Sequence, residues 1–330
     1  MSAVGEWTAL GGARYELGEG ARATAAGFVF VDLLAGVLLE TEGSPSVATD
    51  GGLPVGTGGG MSGGIGGKPS SEPAADSADA VRERLRLDVP LGAVAPRAGG
   101  GWIAAAGPGI ALLDVSDGAG SGSADIEIDW LARPFDNSLV PMRMNDGVAD
   151  PAGRFWAGAM PYDGTTGAGR LFRVDPDGSV HAVLEGLTVP NGPAFSSDGT
   201  TMYLADSARG VILQYRVGED GGIDGPAAVF ATVDDASPDG MTVDADGYVW
   251  SALWGGRRLH RYSPGGSLVD VVPVPAAQPT SIAFSIRAPH RLLVTTATHG
   301  LTEPGLLDGA TLVTSTTVAG LPTATFGAQV

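Results

Sequence analysis

A turn-forming cluster followed by an aromatic and aliphatic extended run recurs six times along the 330-residue chain. The copies are Ala26-Gly-Phe-Val-Phe-Val-Asp32, Gly99-Gly-Gly-Trp-Ile-Ala-Ala-Ala106 and Ala152-Gly-Arg-Phe-Trp-Ala-Gly158. Three more follow at Asp198-Gly-Thr-Thr-Met-Tyr-Leu-Ala-Asp206, Asp246-Gly-Tyr-Val-Trp-Ser-Ala-Leu253 and Ala288-Pro-His-Arg-Leu-Leu-Val-Thr295. The last four lie roughly 43 to 48 residues apart, about the length of one four-stranded propeller blade. Strand-like runs with turn punctuation fill the intervals. Leu171 to Leu184 reads as a hairpin with Asp175-Pro-Asp-Gly178 at its tip, and Ile212–Val217 and Leu259–Leu268 read alike. No window keeps a helical period. The expectation is an all-β chain, a single six-bladed β-propeller with four-stranded antiparallel blades over residues 1–330.

The first interval is too long by about one loop. Its excess lies in Thr41 to Ala80, where eleven of forty residues are Gly and none is aromatic. Such a segment buries too little apolar surface to offset its ordering entropy, so a flexible insertion in the first blade is expected. Its Gly60-Met-Ser-Gly-Gly64 matches a nucleophile-elbow pattern, but without the flanking strand and helix that the geometry needs. A formal net charge of −18 argues against nucleic acid or an anionic membrane as partner. The chain has no Cys, which excludes thiolate chemistry and Cys-ligated metals. Met1-Ser-Ala-Val-Gly-Glu-Trp7 lacks the basic and apolar regions of a signal peptide, and the apolar run Phe28 to Leu39 is too short to span a bilayer. A cytoplasmic protein is expected.

In a propeller the site forms where the innermost strands converge, so polar residues flanking the repeats are the candidates. Glu19, Arg143 with Asn145, Asn191 and Asp239 stand just ahead of the first, third, fourth and fifth repeats. Asn-Gly and Asp-Gly pairs are common turn formers, but four blades offering polar groups from the same place is hard to explain by turns alone. Glu19, Asn191 and Asp239 make a hard, all-oxygen donor set. It suits Ca²⁺, Mg²⁺ or Mn²⁺ and tolerates Zn²⁺, and three protein ligands leave room for water and substrate.

Gly18-Glu-Gly20, Arg143-Met-Asn-Asp-Gly147, Asp150-Pro-Ala-Gly-Arg-Phe-Trp-Ala-Gly-Ala-Met160, Pro190-Asn-Gly192, Tyr203-Leu-Ala-Asp-Ser207 and Pro238-Asp-Gly-Met241 resemble the motifs of the senescence marker protein/gluconolactonase family, also called regucalcin-like, which includes luciferin-regenerating enzymes. The resemblance runs from about Glu16 to Phe326. It implies one divalent cation, Ca²⁺ first, on Glu19, Asn191 and Asp239. It implies substrate contacts from Arg143 and Asn145, and from Asp163 after the Gly-Ala-Met block. The implied chemistry is hydrolysis of a small sugar-acid lactone, with Asp239 as general base, by a monomer or small homo-oligomer. Where family members show Pro and an aromatic after Glu-Gly, this chain has Ala21-Arg-Ala-Thr24. A non-catalytic Ca²⁺- or ligand-binding propeller and a protein-interaction propeller remain open as other uses of the scaffold.

Overall fold

The protein was analysed as a computed structural model that describes residues 4–41, 81–116 and 125–328. Six four-stranded antiparallel sheets make up the described chain. Blade 1 comprises Gly18–Ala23, Phe28–Asp32, Val37–Thr41 and Val81–Arg86. Blades 2 to 5 begin with Leu91–Pro96, Met142–Ala149, Pro190–Phe195 and Ser237–Val243 and run outward in chain order. Blade 6 consists of Pro279–Phe284, Arg291–Thr296, Leu312–Ser315 and the N-terminal strand Thr8–Ala9, which pairs with Leu312 and Val313 and so closes the ring between the two ends of the chain. Apart from Thr41, which ends its strand, the expected insertion lies outside the described residues. Ser207–Arg209 is a single 3₁₀ turn.

Each repeat read from the sequence ends in the second strand of a blade, and its turn joins that strand to the innermost one. In blade 3 the turn is Asp150-Pro-Ala-Gly153. The Gly153 N–H donates to the Asp150 carbonyl at 2.9 Å, and Gly153 takes φ +78°, which a side chain would resist. The Asp side chain then fixes the next strand, because Asp150 Oδ2 accepts from Trp156 Nε1 at 2.8 Å. Asp244 and Trp250 repeat the arrangement in blade 5 at 2.9 Å. Both indoles are fully buried between blades, Trp156 against Phe195 (5.5 Å between ring centroids) and Trp250 against Phe284 (5.0 Å). Aromatic pairs of this kind add about 0.5–1.5 kcal/mol beyond their area burial. Blade-to-blade packing thus carries the core, and six innermost strands are left facing one another around a channel.

Candidate metal and substrate site

Glu19, Asn145, Asn191 and Asp239 all lie on innermost strands, each at a register break. The pairing slips between Glu19 and Arg22, Met144 and Gly147, Asn191 and Ala194, and Pro238 and Met241. A bulge re-aims the side chain that it carries, which here is the polar one. The Asn191-Gly192 and Asp239-Gly240 pairs are therefore parts of strands, not turns. Their glycines answer to crowding at the ring: a Cβ on Gly192 would meet Met241 N at 2.6 Å, and one on Gly240 would meet the Thr280 carbonyl at 2.6 Å.

These side chains are buried at the channel mouth, with Glu19 6%, Asn145 5%, Asn191 7%, Asp239 3% and Arg143 8% exposed. Arg143 Nη1 donates to Asn145 Oδ1 at 2.6 Å, and Asn145 Nδ2 donates to the Pro190 carbonyl at 3.0 Å and to Asn191 Oδ1 at 2.5 Å. Ser207, a residue that sequence reasoning passed over, orients the other end of Asn191. Its hydroxyl proton goes to the Pro238 carbonyl at 2.6 Å, so its oxygen can only accept, and it accepts from Asn191 Nδ2 at 3.1 Å. Asn191 Oδ1 is thereby turned away from Ser207, with a second lone pair available. Ser207 stood within the Tyr203–Ser207 block, which was its only signal.

The two carboxylates are the least satisfied groups here. Asp239 Oδ1 is buried and has no hydrogen-bond partner, while Glu19 Oε2 receives a long 3.4 Å contact from the Gly20 N–H. Burial holds Glu19 well above the usual carboxylate range, reinforced by the charges of Asp239 and Asp146 and opposed by the Gly20 N–H and Arg143. Burial, then the Asp146 charge, raises Asp239 in the same way against the Gly240 N–H and Arg143. The Arg143 guanidinium is lowered by burial, while Tyr162, Glu19 and Asp239 favour its charge. An unpartnered carboxylate oxygen beside a second buried carboxylate is what a hard divalent cation satisfies, so the residues fit such an ion.

Asp146 is different. Its Oδ1 accepts from Arg22 Nη2 at 3.1 Å and the Gly147 N–H at 2.8 Å, and its Oδ2 accepts from the Gly192 N–H at 3.0 Å. Both partners of the Arg22–Asp146 pair are buried, their side chains 9% and 2% exposed, and the pair joins blades 1 and 3. The Ala21-Arg-Ala departure thus places a cation inside the channel. Removing one partner of a buried pair strands the other charge, so Arg22→Met should destabilise the fold by about 3–5 kcal/mol in urea titrations. A loss under 1 kcal/mol would contradict this reading.

Asp163 is exposed on the loop after Phe155–Pro161, where its Oδ1 accepts from the N–H and hydroxyl of Thr165 at 2.9 and 2.6 Å. The structure does not bring it into the buried network, although its neighbour Tyr162 interacts with Arg143. Trp254 ends the strand beside Asp239, pairs with Ser237 and packs on the cluster that includes Leu17 and Ala297. It is partly exposed. His181 stands on an outer strand beside Asp175, and His260 lies between Arg258 and Tyr262, lowered by burial to about 4.

A family model described as "SMP-30/Gluconolactonase/LRE-like region" matches residues 17–298. The pentonolactonase XacC of Haloferax volcanii is 39% identical over 159 residues, 48% of this chain and 54% of that protein. A 6-deoxy-6-sulfogluconolactonase of Pseudomonas putida is 33% identical over 235 residues, 71% of this chain and 78% of that protein. Among solved structures, a calcium-binding protein, regucalcin, from Agrobacterium tumefaciens superposes with a TM-score of 0.77 at 24% identity, covering 98% of this chain and 97% of that one, a likeness of fold.

Proposed function

Because the chain belongs to the SMP-30/gluconolactonase/LRE-like family, we propose that it is a cation-dependent hydrolase that opens sugar-acid lactones. The observation that carries this reading is the pair of buried carboxylates at the channel mouth, Glu19 and Asp239, the latter with an unpartnered oxygen. Two relatives named as lactonases support it. Glu19, Asn191 and Asp239 would hold one divalent cation, Ca²⁺ first, which when bound supplies Lewis-acid polarisation of the ring-ester carbonyl.

The protein groups divide the remaining work. Asp239 takes a proton from the attacking water as its oxygen bonds to the carbonyl carbon. The ring C–O bond then breaks, the ring oxygen receives that proton, and the product leaves as an open hydroxy acid. Arg143 and Asn145 hold sugar hydroxyls or the carbonyl oxygen, since Arg143 is a fixed charge with five donors and cannot ligate a cation. Trp254 supplies an apolar wall, and Asp163 is a rim contact for the outer part of the sugar.

The split of roles predicts that Arg143→Met lowers kcat/KM by about 10- to 100-fold, largely through KM, while cation affinity stays within about twofold of the wild type. Steady-state kinetics beside calorimetry measures both, and a variant that lost cation binding would refute the assignment. The activity itself is tested by following acid release from five- and six-membered aldonolactones in a pH-stat with Ca²⁺ or Mn²⁺ present. Turnover of at least one is expected. None on any lactone, with the cation bound, would leave a binding propeller instead.

A further inference from the structure

In blade 3 Arg143 opposes Met160, Met142 opposes Pro161, and the Tyr162 N–H donates to the Pro141 carbonyl at 3.0 Å as one further rung. Opposed and alternate residues share a face of a sheet, so Tyr162 is the diagonal neighbour of Arg143, within reach of two long side chains. Among the groups that favour the Arg143 charge against its burial, Tyr162 comes ahead of Glu19 and Asp239. Pro141 precedes the strand, so Tyr162 stands about 7 Å farther out along the ladder than Arg143. Exposure rises with it, from 8% at Arg143 to 54% at Tyr162. A tight turn holds the residue there. The Gly164 N–H donates to the Pro161 carbonyl at 3.2 Å with Gly164 at φ +69°, and Asp163 is tied to Thr165 in the same turn. Among the described residues the Tyr162 hydroxyl makes no hydrogen bond and the ring stacks on no other aromatic.

Resting on the lactonase reading, we propose that Tyr162 determines specificity by packing its ring on the end of the sugar remote from the ester. The buried carboxylates and Arg143 fix the ester end deep in the mouth, and Tyr162 is the next side chain outward from Arg143 on that face. A tyrosine offers an apolar face on a rigid side chain, suited to the C–H groups of a sugar. The exocyclic hydroxymethyl of a six-carbon aldonolactone reaches the ring, and a five-carbon lactone has no such group to offer.

Gluconolactone and xylonolactone in their six-membered forms differ only by that hydroxymethyl, and their hydrolysis by the Ca²⁺-loaded protein tests the assignment. Tyr162→Ala should lower kcat/KM for gluconolactone by about tenfold, mainly through KM, the low end of what a methylene-sized contact is worth. For xylonolactone the fall should stay within about twofold, with Ca²⁺ affinity and Tm as in the wild type, because the lost side chain is half in solvent. Tyr162→Phe keeps the ring and should keep the wild-type preference. Equal falls for the two lactones in Tyr162→Ala, or no fall for gluconolactone, would overturn the proposal and leave the lactonase reading standing. So would a wild type that opened xylonolactone alone. A wild type that opened neither lactone would take down the lactonase reading, and this inference with it.

Discussion

Asp239→Asn is expected to lower kcat for lactone opening by about 10²- to 10⁴-fold at saturating cation, the range that a positioned general base supplies. The amide keeps an oxygen for the ion but cannot accept the proton from water. Stability should move the other way. Asp239 is held above its ordinary range by burial and by the Asp146 charge, so at neutral pH its ionisation costs the cation-free fold free energy. The uncharged side chain removes that cost, and the cation-free variant should melt no lower than the wild type. Steady-state rates and thermal melts on one preparation read both effects. If kcat survived, Asp239 would not be the base. Asp146 could not replace it, since its oxygens already accept from Arg22 and from the Gly147 and Gly192 amides.

The second large effect is on stability against pH. Glu19 and Asp239 both have raised folded-state pKa values, so the folded chain binds more protons than the unfolded chain between the ordinary carboxylate range near pH 4 and the raised values. Across that window the stability of the cation-free protein falls as pH rises. A divalent cation reverses the trend, because it favours the ionised carboxylates and binds only the assembled ring. At a hundredfold excess over its Kd a ligand adds about 2.7 kcal/mol. Added Ca²⁺ should therefore raise Tm by several degrees at pH 7.5 and hardly at all near pH 4. Melts at the two pH values, with chelator and with Ca²⁺, would show it. An equal rise at both would mean that the ion binds somewhere other than these carboxylates.

The fold was legible because its signature is local. A turn and the extended run after it fall within about ten residues and recur with drift from blade to blade, and in blades 3 and 5 the turn is Asp-x-x-Gly with an indole that returns to the Asp. Closure of the ring was not legible, since Thr8–Ala9 pairs with Leu312 and Val313 some three hundred residues away. At the candidate site, Glu19, Asn145, Asn191 and Asp239 could be picked out because they keep one position relative to the repeat, and Arg143 because it stands two residues ahead of Asn145. The bulges that aim them are features of pairing between strands and leave no mark on one strand alone. Arg22 and Ser207 escaped notice for the same reason. Arg22 looked like a lapse from the family pattern, yet it meets Asp146 from 124 positions away. Ser207 looked like the end of a strand motif, yet it bridges Asn191 to the Pro238 carbonyl.

The most direct test is the rate of acid release from an aldonolactone that the protein turns over, measured on chelator-stripped protein as Ca²⁺ is titrated back. The rate is expected to start at the uncatalysed background and rise along a single-site curve, and Glu19→Gln should shift that curve to at least tenfold higher Ca²⁺. A rate that stays at its full value after chelation, in the wild type and in Glu19→Gln alike, would contradict a cation site at Glu19, Asn191 and Asp239 as the seat of catalysis.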